Sequence, residues 1–423
     1  MNIAYFKPGK IRKVKGLCRQ MTIPSLADAL VLQCLADAYW QDIKSRAPTS
    51  NAHFEPKDHT FSRDDDGNLE YGSIKSWLDF QEDILGFARK CKFIIITDIT
   101  NYYDFIDFDQ LRNVIVSLIR IREPIVDFLM HILSGMCWKP DYMPSRNIGM
   151  PQMDIDAPRL LAHSFLFELD ALMQHESLSN YARFMDDIDA GADSIAGAKR
   201  NIKKIDLTLQ TRNLRLNSGK TLILSHSEAI QHFKVVENRM LNIIKKLVND
   251  GDKLATKKMT SKLYGKWLKK GNFNTGNGEK ILKRIIGLAI GLDLKLDQDS
   301  ILDIIKLRPN LRGNALNYLS HVGFSAKAIN FMFELLKSEY ICDDYFMIEF
   351  SKSLFHGRVS ESKITRNLIN DIIDWLKITT KTTTIIVFIA RLLSAIDTSI
   401  FQKRSLFWRE AEAFGRMTSF WGV

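Results

Sequence analysis

The stretch Tyr181-Ala182-Arg183-Phe184-Met185-Asp186-Asp187-Ile188 decides how this chain is read. Two adjacent aspartates follow an aromatic residue and a methionine, with apolar residues on both sides. The pattern predicts a short β-hairpin with carboxylates at its tip. Adjacent acids repel, so a turn that carries them is costly unless a cation sits there. Upstream, Phe93-Ile94-Ile95-Ile96-Thr97-Asp98 has the composition of a buried strand that ends on another aspartate. Three carboxylates delivered by two strands are what a two-metal phosphoryl-transfer site needs. Magnesium takes hard oxygen ligands and keeps some waters, so one or two carboxylates per ion plus substrate phosphates suffice.

An aromatic-x-Asp-Asp string by itself also fits a solvated turn, and its context decides between the two. After Asp98 comes Ile99-Thr100-Asn101-Tyr102-Tyr103-Asp104. Then Gly149-Met150-Pro151-Gln152 leads into an apolar helical run, Leu160-Leu161-Ala162-His163-Ser164-Phe165-Leu166. The Asp-Asp hairpin is third, followed by a helical stretch near Ser194–Leu209. Fourth, Leu214-Arg215-Leu216-Asn217-Ser218-Gly219-Lys220-Thr221 runs into a strand-like Leu222-Ile223-Leu224.

This succession resembles the palm of reverse transcriptases. That family has an Asp-x-x-x-aromatic-aromatic segment, a Pro-Gln helix entry, an aromatic-x-Asp-Asp hairpin and a Leu-x-Leu-Asn-x-x-Lys-Thr segment, in this order. The resemblance covers roughly residues 10–230. Near the N-terminus, Lys13-Val14-Lys15-Gly16-Leu17-Cys18-Arg19-Gln20-Met21-Thr22-Ile23-Pro24 looks like the basic fingers segment of these enzymes. It leads into an apolar helix, Ala27–Trp40, and is similar to the bacterial abortive-infection and defence-associated reverse transcriptases. Two residues depart from the pattern. Phe184 stands where most of the family has Tyr, which loses only a hydroxyl. Met153 follows Gln152 where the family usually has a glycine that lets the backbone approach closely, and this bears on how a nucleotide sits there.

The resemblance implies roles. Asp98 and Asp186 would bridge two Mg2+ ions, with Asp187 assisting and the Ile99 carbonyl completing the site. Tyr103 would lie under the sugar of an incoming deoxynucleoside triphosphate and clash with a 2′-hydroxyl, while Tyr102 packs in the core. Gln152 would bond the nucleotide or the template. Lys13, Lys15 and Arg19 would clamp the triphosphate, which of the two lysines being open. Lys220 would approach the pyrophosphate. Asp104 and Asp189 read as ordinary polar neighbours, and Arg63-Asp64-Asp65-Asp66-Gly67 as a polar turn that lacks the spaced acceptors of a calcium loop. The chain has no paired zinc spacing, no Gly-x-Ser-x-Gly elbow and no Walker-type phosphate loop.

The chain has 423 residues, 46% of them hydrophobic, which suits a folded protein of two or three domains. Its five cysteines are scattered and odd in number, as expected of reduced thiols in a cytoplasmic protein. Neither a signal-peptide core at Met1–Pro8 nor an apolar run long enough to span a membrane is expected. The net charge of +10 suits a polyanionic partner. Much of it lies between His232 and Arg284, where Lys245, Lys246, Lys253, Lys257, Lys258, Lys262, Lys266, Lys269, Lys270, Lys280 and Lys283 alternate with Tyr264, Trp267 and Phe273. Lysines with aromatics grip phosphates and stack bases. Lys262, Lys266, Lys269 and Lys270 are therefore the candidate nucleic-acid contacts.

Beyond a loop at Gly271–Gly278 the pattern is helix after helix, with apolar positions three and four apart. Examples are Ser300–Lys306, Leu311–Leu319, Ala326–Lys337, Tyr345–Phe355, Ser362–Leu376, Thr382–Ala395 and Phe407–Met417. Such pairs resemble a helical-repeat array, as carried by defence-type reverse transcriptases in place of an RNase H domain. The expected architecture is thus α+β: reverse-transcriptase-like fingers and palm at 1–230, a basic thumb-like helical region at 231–285 and an all-α helical-repeat domain at 286–423. The expected activity is RNA-templated DNA synthesis on a noncoding RNA in antiphage defence. Protein-primed, template-independent synthesis, a decayed nucleic-acid-binding scaffold and an intron-type maturase are the rivals. A homo-oligomer or an accessory defence protein is left open as a further partner.

Overall fold

In the computed structural model the chain is described at residues 7–12, 18–53, 80, 83–84, 86–87, 89–137, 139, 142–143, 146–153, 155–175, 180–270, 274–338, 346, 349–350 and 353. Of these, 7–12, 18–20, 23, 249 and 266–270 are described by backbone alone. Lys13, Lys15, the Arg63–Gly67 stretch, Phe273 and the helices expected over Ser362–Leu376, Thr382–Ala395 and Phe407–Met417 lie outside them. Two compact units form, one built on Met21–Gln231 and the other on the chain from His232 together with Gly9–Gln20.

Near the N-terminus β1 (Lys7–Arg12) and β2 (Cys18–Ile23) pair as a two-stranded sheet. The helix α1 (Leu26–Ser45) follows, capped by Ser25, which accepts from the Asp28 N–H. The central sheet holds β3 (Ala52–His53), β4 (Phe93–Asp98), β5 (Tyr181–Phe184), β6 (Asp187–Ala192) and β7 (Leu222–Ser225), in the order β3-β5-β6-β4-β7. Only β3 runs parallel to its neighbour. Between β4 and β5 come α2 (Phe108–Leu118), α3 (Glu123–Met136), α4 (Asp156–Phe165) and α5 (Phe167–His175). A single helix, α6 (Ile195–Gln210), links β6 to β7. The order β5-β6-β4-β7 with these connections is a split β-α-β-β-α-β arrangement, an α+β design.

Strand parity sorts the side chains. Cross-strand partners point to one face, and neighbours along a strand to opposite faces. Ile95 faces its partner Ala190, and both pack with Ala192 and with Ala198 and Ile202 of α6. Tyr181 and Ile188, of the same parity, join the larger core with α4, α5 and the Ile205–Leu209 end of α6. One face of the sheet is therefore closed by helices. Asp98 and its partner Asp187, which is also paired with Phe184, belong to the opposite face.

From His232 the second unit is helical: α7 (His226–His232) leads into it, then come α8 (Val235–Asn249), α9 (Lys253–Lys270), α10 (Gly278–Gly291), α11 (Gln298–Leu307), α12 (Arg312–Val322) and α13 (Ala326–Lys337). The last three stand where apolar spacing places them. Leu241, Leu263, Ile285, Ile305, Leu316, Phe333 and Phe350 belong to one continuous apolar core. The stretches 231–285 and 286–353 thus share their packing among the described residues. No described helix is long and apolar enough to cross a membrane.

Candidate active site

The β5–β6 hairpin closes through Met185 and Asp186, between the paired Phe184 and Asp187. Two-residue hairpin turns need positive φ, and Met185 has φ +57°. That region costs a non-glycine residue about 1 kcal/mol or more unless the surroundings hold it there. They do. The Met185 N–H donates to the His53 carbonyl on β3 at 3.0 Å, and its own carbonyl accepts from Arg183 Nη1 at 2.9 Å. The next carbonyl, of Asp186, accepts from the Ile99 N–H at 3.2 Å.

Behind the hairpin lies a charged group that the sequence motifs did not reveal. Arg183 and Asp170 of α5 form a salt bridge with both side chains fully buried. Arg183 Nε donates to Asp170 Oδ1 at 2.8 Å, and the Tyr181 hydroxyl donates to the same oxygen at 2.8 Å. Burial alone would lower the Arg183 pKa, but the Asp170 charge and its hydrogen bonds outweigh that and raise it. His163, fully buried, is held well below the usual histidine range by burial first, then by the charges of Arg183 and His53. It stays neutral and packs edge-on against Phe167 at 5.3 Å.

On the other face are the acids. Asp98 is nearly buried, Asp186 half-buried and Asp187 exposed. Asp98 Oδ2 pairs with the Lys220 ammonium, while Oδ1 is buried with no hydrogen-bond partner. Lys220 arrives on a turn built around Asn217. The Asn217 N–H donates to the Asp98 carbonyl at 2.8 Å, and the Asn217 carbonyl accepts from the Lys220 and Thr221 N–H groups, each at 3.0 Å. Thr221 and Thr97 hydroxyls meet at 2.7 Å, and Asp206 of α6 accepts from the Leu216 N–H at 3.1 Å. Asp206 is a second holding residue missed in the sequence; its signal was only an acid inside a helix next to the motif.

A buried carboxylate oxygen without a partner is costly, and here a lysine ammonium supplies positive charge beside it. Among the described residues no three His, Cys, Asp or Glu side chains stand as a ready metal cage. The donor set nonetheless fits a hard cation that keeps waters and takes substrate phosphates. It comprises the Asp98 oxygens, with the Asp187 carboxylate in register and Asp186 and the Ile99 backbone joined by a hydrogen bond. Asp104 is exposed, whereas Asp189 is buried on the same face as Asp187.

Tyr102 and Tyr103 open a single 3-10 turn, Tyr102–Phe105. Tyr102 is buried, its hydroxyl bonded to the Ala162 carbonyl, and burial pushes its pKa well up. Tyr103 is half-buried with its ring edge-on to Tyr102 at 5.7 Å. The Tyr103 carbonyl accepts from Met150 N–H at 2.6 Å, which ties this turn to the Pro-Gln segment. Gly149 makes that approach at φ +102°, where a Cβ would also lie 3.3 Å from the Asp104 carbonyl. The Gln152 side chain is half-buried, and its backbone carbonyl accepts from the Thr22 N–H at 2.6 Å; Arg19, on β2, is described by backbone alone. Met153 turns inward and joins the core, so its bulk does not stand over the segment.

On α9, Lys262 is exposed, while Lys266, Lys269 and Lys270 are placed on the same helix by backbone alone. Tyr264 corrects the reading of an aromatic interleaved for stacking: it is buried in the helical core with its pKa raised by burial. Helical spacing puts it beside Leu263 and Thr260 on the inward face. Arg284 is likewise engaged, donating to Asn238 Oδ1 at 2.6 Å.

No protein-family model matches the chain, and no curated protein matches it. Solved structures of telomerase are similar only loosely. A C-terminally truncated apo telomerase from Candida tropicalis is 14% identical over 52% of this chain and 49% of its own, with a TM-score of 0.33. The apo telomerase from the same organism is 14% identical over 89% of this chain and 68% of its own, with a TM-score of 0.35. Telomerase from Candida albicans in complex with the TWJ fragment of telomeric RNA is 9% identical over 89% and 66%, also at 0.35. This chain thus spans about half to two thirds of the length of those chains. Likeness at this level fixes neither fold nor function.

Proposed function

We propose that this protein is a nucleotidyltransferase of reverse-transcriptase type that makes DNA from deoxynucleoside triphosphates, acting in the cytoplasm in bacterial antiphage defence. One observation carries the reading. Three of the four motif segments, far apart in sequence, fold so that Asp98 is the register partner of Asp187, Asp186 sits in a pinned turn and Lys220 meets Asp98, and the Met150 N–H of the remaining one ties the Pro-Gln segment to the Tyr103 carbonyl. In this reading residues 1–230 would be the fingers and palm, 231–285 the thumb-like region and 286–423 a helical-repeat domain, the last two sharing a core among the described residues.

Asp98, Asp186, Asp187 and the Ile99 carbonyl would hold two Mg2+ ions. When bound, these lower the pKa of the attacking hydroxyl and neutralise the leaving pyrophosphate. Lys220 supplies positive charge at the leaving group, to which its two-thirds exposed side chain can swing from Asp98. Tyr103 excludes a 2′-hydroxyl, Gln152 orients the nucleotide or template, and Lys13, Lys15 and Arg19 grip the triphosphate. Lys262, Lys266, Lys269 and Lys270 grip nucleic acid, with a noncoding RNA as template.

The test is nucleotide incorporation by Asp98→Asn and Asp186→Asn. Both should fold and lose about a thousandfold or more in rate, a loss worth about 4 kcal/mol of transition-state stabilisation. Wild-type rates from the folded variants end the reading. Ribonuclease treatment of the purified protein separates the templates: synthesis that persists, with labelled DNA attached to denatured protein, selects the protein-primed alternative.

A further inference from the structure

We propose that the buried Arg183–Asp170 pair positions the Asp186–Asp187 turn, with Arg183 acting through the Met185 carbonyl. The proposal rests on the polymerase reading of the site.

Arg183 lies on the helix-covered face of the hairpin, out of phase with the acids, and its side chain is wholly buried. Its fork is held at two points by Asp170, and Tyr181 braces the same carboxylate. The remaining nitrogen, Nη1, reaches around to the Met185 carbonyl at 2.9 Å. Only a guanidinium can do all of this, since its donors are fixed in one plane.

The peptide unit is planar, so fixing the Met185 carbonyl also fixes the plane of the Asp186 N–H. The following carbonyl is held by the Ile99 N–H of the neighbouring strand. Both torsions of Asp186 are thereby bounded, and with them the direction in which its carboxylate leaves the backbone. The clamp also keeps Met185 at φ +57°, which its side chain disfavours. A buried ion pair adds little net stability compared with packed apolar residues. Such a pair directly behind a site is better accounted for by the geometry it imposes.

The test compares Arg183→Lys with wild type in three measurements: Mn2+ binding by electron paramagnetic resonance, kcat and KM for a deoxynucleotide, and amide exchange at Met185 and Ile99. Folded Arg183→Lys should bind Mn2+ about tenfold more weakly and lose about a hundredfold in kcat, with KM little changed, because small misplacements of a reacting group cost this much. Adding Met185→Gly, which adopts positive φ freely, should recover part of the loss. Unchanged Mn2+ affinity and kcat overturn the proposal. A loss that Met185→Gly leaves untouched also overturns it, since that loss would come from general loosening. If Arg183→Lys fails to fold, Asp170→Asn keeps the guanidinium but loosens its hold. It should show the same losses at smaller size, and wild-type values count against the proposal. If wild type itself neither binds Mn2+ nor adds nucleotides, the polymerase reading fails on its own. Amide exchange then decides: faster in the variant supports the clamp, unchanged rejects it.

Discussion

Arg183, Asp170 and Tyr181 lie wholly inside the sheet unit, while Lys253, Lys258 and Lys262 stand in solvent on α9 of the helical unit. The helical core is built largely from residues such as Ile281, Ile285, Ile305 and Leu316, and its buried Arg312 donates to a backbone carbonyl, that of Ile305, at 2.8 Å. The sheet unit places an ion pair and a neutral histidine at the centre of its own. Charge taken out of water needs a partner and fixes geometry; charge left in water reaches outward and is screened by salt. In the proposed reading the buried Arg183 orients a site, whereas the exposed lysines of α9 face a polyanion.

The sharpest way to break this contrast is Arg183→Ala. It leaves Asp170 buried without its counter-charge and should cost about 3–5 kcal/mol, read from urea unfolding. A loss no larger than that of a surface lysine would erase the distinction. Next is a backbone test in the helical unit. Gly276 has φ +52°, and a Cβ there would lie 2.4 Å from the His232 carbonyl oxygen. Gly276→Ala should cost about 1–3 kcal/mol through strain alone, and an unchanged melting temperature would mean that the turn relaxes.

A pH series sharpens the comparison. Above the unfolded histidine pKa of about 6.5, His163 is neutral in both states and its contribution is fully present. Below that, the unfolded chain takes up a proton that the folded protein refuses, so stability falls by up to about 1.4 kcal/mol per pH unit, until the pH reaches the lowered folded pKa. His163→Gln should remove this part of the slope between about pH 6.5 and 5, and an identical slope would mean that the ring is charged in place. The smallest stability effect belongs to Lys258→Glu with Lys262→Glu, within about 0.5 kcal/mol. The same pair should flatten the dependence of log K on log salt for single-stranded RNA, by about 0.7 for each phosphate that is no longer neutralised. An unaltered slope returns this face of α9 to a solvated surface.

Much of the sheet could be read from the sequence, because β4 and the hairpin combine apolar runs with acids at their ends. The turn at Asn217 has a signal of a different kind, Asn217, Ser218 and Gly219 in succession, all turn-forming residues. Arg183 was in plain view inside the leading motif without a role. Its partner Asp170 comes from a separate helix, and no periodicity links the two. One signal was available: Arg183 shares strand parity with Tyr181 and opposes that of the acids, which directs it inward. The β3 strand is only two residues long, too short for any pattern. Tyr264 misled because lysines surround it in sequence, whereas a helix sorts residues by turn. Met153 stands in the sequence as a bulky residue beside the nucleotide segment, and in the fold it fills the core instead.

The β4–β6 ladder carries a consequence for the gene. Its alignment is unbroken from Phe93 opposite Ala192 to Asp98 opposite Asp187. One codon gained or lost within either strand would turn an acid toward the helices that close the other face, since a strand alternates sides at every residue. The exposed turn at Ser218–Gly219 could lengthen without that penalty. Single-codon insertions scanned along the chain should therefore be tolerated in exposed loops and eliminated across Phe93–Asp98 and Asp187–Ala192, even at positions whose residue can be substituted.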